Sequence, residues 1–143
     1  NARALLEGGE LLMIFPEGVP GITKPFTERY QLKTWRKGHA ELAIRHSAPV
    51  IPVAIIGAEE QLPQIGRIKI PYGPVPFLPV PAVPFPLPVR YHIHYGEPLR
   101  FHETFQPSDA DNPECVEEAA KQVAQAVRRL LDVGLVNREG LFS

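Results

Sequence analysis

The chain predicts an α/β fold with a parallel or mixed sheet flanked by helices, and three observations carry that expectation. Residues 11–15 (LLMIF) and 50–56 (VIPVAII) are apolar runs without strict alternation, the pattern of strands buried on both faces. Between them, 38–47 (GHAELAIRHS) has helical spacing, with Ala40, Ala43 and Ile44 on one face and Leu42 beside them. The order strand, helix, strand predicts a right-handed crossover in a parallel sheet. The third observation is the last helix, expected over 113–133. Asp111 or Asn112 caps it, Pro113 opens it, and Val116, Ala120, Val123, Val127, Leu130 and Leu131 form its apolar stripe.

The remaining elements follow in order. Residues 1–8 read as the tail of a helix stopped by Gly8-Gly9, so the chain reads as the C-terminal portion of a single domain. Pro16 ends the first strand because it has no amide to donate. Residues 19–37 are polar, basic and irregular. AEEQLP after Gly57 suits a turn or short helix, and Arg67–Ile70 a brief strand. Residues 74–88, PVPFLPVPAVPFPLP, form a Pro-rich apolar loop in which neither helix nor central strand is expected. That loop either buries Phe77, Leu78, Phe85 and Leu87 or presents some of them to a membrane or an acyl chain. VRYHIHY, 89–95, alternates as a half-exposed strand near the sheet edge, with His92 and His94 on the outer face. Gly134 is expected to end the last helix.

Composition narrows the function classes. With 143 residues the chain can bury a core, and a net charge of −1 gives no global attraction to nucleic acid. The single cysteine, Cys115, excludes an internal disulfide or a cysteine-built zinc cluster and suits a cytoplasmic compartment. No apolar run approaches the roughly 18–20 residues that span a bilayer. His92 and His94 have a spacing that could bind a metal, but no third ligand is evident, and no metal site is assigned.

Chemistry concentrates around FPEG, 15–18. A carboxylate just past the end of a buried strand sits where open α/β sheets hold ligands, although a solvated turn glutamate is the plainer reading of Glu17. Gly18 allows a positive φ or close backbone approach. Downstream lie Lys24, Arg29, Lys33, Arg36 and Lys37, with Glu28 as the only acid in that stretch. These cations either meet anionic groups or pair with Glu28, Glu41, Glu59 or Glu60. Tyr30 and Trp35 either stack on a base or anchor the loop.

FPEG, a basic loop, then KGHAELAIRHSAPVIPVAIIG, and later VRYHIHYGEPLRF, resembles the glycerolipid acyltransferase superfamily over most of the chain. That resemblance implies transfer of a fatty acyl group from acyl-CoA or acyl-carrier protein to a glycerolipid or other lipid hydroxyl. It implies no tightly held cofactor, no nucleic acid partner, and a cytoplasmic protein in peripheral contact with a membrane. In such enzymes a histidine, oriented by an aspartate five positions on, serves as general base. Five positions after His39, His46, His92, His94 and His102 stand Ile44, Ile51, Glu97, Leu99 and Pro107, so no such pair occurs here. No catalytic residue is therefore assigned, and this chain alone is expected to be inactive.

The substrate-binding residues that the resemblance implies are Phe15, Pro16, Glu17, Gly18, Lys24, Arg29, Arg36 and Lys37. Val19-Pro20-Gly21 stands where many such enzymes continue with a small residue and then arginine or serine, which argues against recognition of an acceptor phosphate by this motif. The longer run FPEGVPG…KPF…RYQL, with GAEE after the second strand, resembles a branch acting on neutral acceptors such as diacylglycerol or long-chain alcohols. The rival expectation is a non-catalytic lipid- or partner-binding domain on the same scaffold. A dimer through surface left open by truncation is also expected.

Overall fold

The computed structural model describes residues 2–72 and 77–138. Its helices are α1 (Ala2–Glu7), α2 (Val19–Ile22), α3 (Gly38–Arg45), α4 (Ala58–Gln61) and α5 (Pro113–Val136). Its strands are β1 (Val53–Ile56), β2 (Gln64–Lys69), β3 (Phe77–Pro81) and β4 (His92–Tyr95).

The core forms along α5. The Asn112 side chain caps the helix by accepting the Glu114 amide at 3.0 Å, and Pro113 occupies the first turn, where no donor is needed. Val116, Ala119, Ala120, Val123, Ala126, Val127 and Leu131 are buried at helical spacing. The N-terminal half of that stripe packs on Ala40, Ala43 and Ile44 of α3, with Phe101 and Ala110 completing the cluster. The C-terminal half packs on Ala54 and Ile56 of β1 and on the Tyr30 ring. Small residues on α5 bring α3 and β1 close to its axis, so two separate elements share one helix as their floor.

Strand pairing departs from the parallel expectation. Among the described residues the strands form two antiparallel pairs, β1 with β4 and β2 with β3. Residues 11–15 are not a strand: Leu11 is 92% exposed, Met13 68% and Phe15 69%. A run buried on both faces needs ladder partners on either side. No described strand runs beside 11–15, so it forms no ladder. The second run is also shorter than its hydropathy suggests. Val50 makes an isolated bridge with Leu99, and Pro52 lacks a donor, so the strand proper starts at Val53.

Three further expectations are corrected. A strand, β3, does form within the Pro-rich segment, despite Pro79 and Pro81. A two-stranded ribbon has a free edge on each side, where a missing amide costs no ladder bond. Residues 74–76 of that segment lie outside the described residues. In β4 the alternation is inverted. His92 and His94 turn toward α5 while Ile93 and Tyr95 are exposed, because the register Ile56↔His92 and Ala54↔His94 puts the histidines on the face β1 buries. Finally, α5 runs through Gly134 to Val136. A Cβ on Gly134 would lie 2.5 Å from Ile56 Cδ1 and 2.7 Å from His94 Nε2, so this glycine is there for contact rather than termination.

No described helix is long and apolar enough to cross a membrane.

Candidate functional site

The FPEG turn is fastened to the loop that follows it. Pro16 cannot donate, but its carbonyl accepts the Arg36 amide at 3.0 Å. Glu17 accepts the Lys33 amide through Oε1 at 2.7 Å, and its Oε2 lies 3.5 Å from Lys24 Nζ. Gly18 has φ +60°, which turns the chain into α2 without the strain a side chain would add. Gly21 makes room for the acid: a Cβ there would stand 2.6 Å from Glu17 Oε2. Val19-Pro20-Gly21 is thus a short helix built to pass close over Glu17.

Lys24 is the centre of this arrangement. Its side chain is 5% exposed, and Nζ meets Glu59 at 2.7 Å, the Gln31 carbonyl at 3.0 Å and Glu17 at 3.5 Å. A buried ammonium is expensive unless its donors are satisfied, and here two carboxylates and a carbonyl satisfy them. Glu59 also accepts the Tyr30 amide at 2.7 Å. Tyr30 has φ +61°, a strained value for a bulky residue, and is held from several sides. Its hydroxyl accepts the Gly57 amide at 2.8 Å, and its carbonyl accepts Arg128 Nη1 at 3.3 Å. Burial raises the Tyr30 phenol above its ordinary pKa, keeping it neutral. Tyr30 therefore anchors the loop rather than offering a stacking face.

The basic loop is largely self-neutralised. Lys33 pairs with Glu28, Lys37 with Glu117 at 2.8 Å, and Arg29 lies over the Phe26 ring with Glu60 at 3.7 Å. The two lysines Lys37 and Lys121 hold the Glu117 carboxyl down to about 2. Arg36 differs. Its side chain is exposed and makes no ion pair among the described residues.

Arg36 stands on the rim of an open groove of about 510 Å³. Leu12, Ile14, Phe15 and Leu42 supply apolar wall, Pro16 and Gly18 supply turn backbone, and His39 lines the α3 side. Arg3 and Glu41, 3.3 Å apart, close the far end. His39 Nδ1 lies 2.8 Å from the Arg36 carbonyl, so Nδ1 carries the proton and donates. Its Nε2 is buried with no partner among the described residues, and Trp35 meets the ring edge-on at 5.7 Å. Burial, opposed by the Arg36 carbonyl, lowers the His39 pKa and favours the neutral ring. With a carbonyl rather than a carboxylate behind it, His39 is not set up as the general base of a histidine–acid pair.

Among the residues expected to bind substrate, Phe15, Pro16, Gly18 and Arg36 come together on this groove. Glu17 and Lys24 sit behind it as a paired support, while Arg29 and Lys37 are occupied by Glu60 and Glu117. His39 and Leu42 also line the groove, outside the expected binding set. Their i, i+3 spacing in GHAELA places both on one helix face and could have pointed to them. No described group of acids, histidines or cysteine has a metal-holding arrangement.

A family model described as acyltransferase matches residues 1–56, the stretch holding the groove, the FPEG turn and β1. Over these residues the chain is similar to the acyltransferase family, consistent with the glycerolipid acyltransferase superfamily. The acyltransferase match stops at the end of β1, so β2, β3, β4 and α5 lie beyond it. Uncharacterized proteins of Mycobacterium tuberculosis and Mycobacterium bovis are each 35% identical to the chain over 153 aligned positions, covering 99% of it. One of Mycobacterium leprae is also 35% identical over that span. The chain spans 42% of the length of the first two and 41% of the third. No solved structure matches it.

Proposed function

We propose that the whole protein transfers a fatty acyl group from a thioester donor, acyl-CoA or acyl-carrier protein, to a lipid hydroxyl. The observation that carries this reading is the groove beside FPEG, apolar along Leu12, Ile14, Phe15 and Leu42 and cationic at Arg36. Such a site suits a ligand with a hydrocarbon chain at one end and a phosphate at the other. Both donors fit that description, since both carry the acyl group on a phosphopantetheine arm.

The reaction balances simply. The acceptor oxygen adds to the thioester carbonyl, the carbon–sulfur bond breaks, and the hydroxyl proton ends on the departing thiol. The residues described here would bind and orient rather than exchange that proton. Arg36 holds a donor phosphate, the apolar wall takes the acyl chain, and the Glu17–Lys24–Glu59 support fixes the turn. The absence of a cation at Val19-Pro20-Gly21 favours a neutral acceptor.

Steady-state transfer by the full-length protein tests this, with a long-chain acyl-CoA and either diacylglycerol or lysophosphatidate as acceptor. Ester formation matched by thiol release supports the reading, with the faster acceptor identifying the class. Thiol release without ester would mean hydrolysis and would refute transfer.

A further inference from the structure

The β2–β3 ribbon stands apart from the core that α5 organises. Neither strand contains a buried residue. Its register places Ile68 opposite Leu78, both more than half exposed, on the face that also carries Val80. The opposite face carries Arg67 and Lys69, paired with Pro79 and Phe77, and the Arg67 guanidinium lies 4.6 Å from the Phe77 ring centroid. Tyr72, at 92% exposure, and Phe85, at 77%, are exposed aromatic side chains that flank the ribbon in sequence.

The charge of this stretch of sequence is one-sided, although Glu28 from the basic loop lies within electrostatic reach of Arg67. Sixteen acidic residues are spread over the 143-residue chain, yet none lies between Glu60 and Glu97. The charged residues in that interval are Arg67, Lys69 and Arg90. A solvent-facing ribbon of an ordinary globular protein would mix both signs.

The prolines supply a second argument. Pro79, Pro81, Pro84, Pro86 and Pro88 have no amide hydrogen, so this apolar segment carries few donors to leave unmet. Several of those that remain are satisfied inside the chain. Ala82 donates to the Pro63 carbonyl and Leu87 to the Gln61 carbonyl, each at 2.7 Å. Low donor density is what a segment entering hydrocarbon requires, because an unpaired amide there has no water to turn to. It is a disadvantage for adding a partner strand, which needs those donors.

We propose that the β2–β3 ribbon docks the protein on a lipid bilayer bearing anionic headgroups. Ile68 and Leu78 enter the boundary between headgroups and acyl chains. Arg67 and Lys69, on the other side of a ribbon one backbone thick, remain level with the phosphates. The docking needs no catalysis, so an inactive protein that binds vesicles and an active one that does not are separable results.

Flotation of the full-length protein with vesicles tests the proposal, using phosphatidylcholine alone and phosphatidylcholine mixed with phosphatidylglycerol. The wild type should float with the mixed vesicles and much less with the neutral ones. Ile68→Ser/Leu78→Ser should weaken binding at least about tenfold, and Arg67→Gln/Lys69→Gln about tenfold with loss of the anionic preference. All four side chains are substantially exposed, so the helical circular dichroism of both variants should match wild type. Arg129→Gln on the exposed side of α5 should change nothing. Equal flotation of wild type and the Ile68→Ser/Leu78→Ser variant would overturn the proposal. So would failure of the wild type to bind mixed vesicles. A ribbon variant that changes oligomeric mass but not flotation would assign the ribbon to a protein partner instead.

Discussion

Lys24 Nζ stands 2.7 Å from a Glu59 carboxylate oxygen and 3.5 Å from Glu17, tying the acid of the FPEG turn to the helix that follows β1. The turn and the loop behind it are one electrostatic unit, assembled from residues more than forty positions apart in the chain.

Removing Lys24 should therefore act on stability before it acts on any ligand. Lys24→Met leaves two carboxylates facing each other with no cation, and should cost about 2–4 kcal/mol, discounted from fully buried pairs because Glu59 is partly exposed. Urea denaturation measures it. A loss below about 0.5 kcal/mol would show that the pairing is not a support, since that is the range of ordinary surface substitutions.

Gly134→Ala sets two effects against each other. Helix propensity gains about 1 kcal/mol from alanine. The new Cβ must displace Ile56 Cδ1 and the His94 ring, which stand 2.5 and 2.7 Å away, at a cost of about 1–3 kcal/mol. The expected net result is a lower thermal midpoint. A higher midpoint would mean that β1 and β4 yield easily to α5.

The His39 imidazole should make stability depend on pH in the mildly acidic range. Its folded pKa lies below the ordinary 6.5, so the unfolded chain takes up the proton first. The stability it contributes is intact above about 6.5 and drains away as pH falls toward the folded value. The carboxyls held low in the fold, such as Glu117 at about 2, act in a separate window below 4.5. Urea midpoints at pH 7.5 and 5.5 should differ less in His39→Gln than in wild type. Equal slopes would show that His39 is free to protonate in the folded state.

Sequence pattern revealed the helices better than the sheet. In α3 and α5 the buried positions recur at helical spacing, and Asn112 and Pro113 mark the start of α5, so local chemistry carries much of the information. Strand pairing depends on which segments meet. LLMIF has the hydropathy of a central strand but no described neighbour, while the β3 prolines, which argue against a central strand, are tolerated in a two-stranded ribbon. In β4 the partner strand decided which face turns inward, against the hydropathy of Ile93 and Tyr95. The site was legible in part. FPEG and Arg36 could be read directly, but the pairing of Lys24 with Glu59 and of Lys37 with Glu117 joins distant segments and has no local signature. His39 has Ile44 rather than an aspartate five positions on, and only its neighbourhood, not its residue type, makes it a groove wall.

The most direct measurement of the central claim is the steady-state kinetics of acyl transfer by the full-length protein, wild type against Arg36→Gln. Arg36 is exposed and makes no ion pair among the described residues, so the variant should unfold at the same urea concentration as wild type. The account predicts a KM for acyl-CoA raised about tenfold, the size of one charge-assisted hydrogen bond at a partly open site, with kcat little changed. An unchanged KM for the donor in an active enzyme would contradict the placement of the thioester's phosphate on this groove.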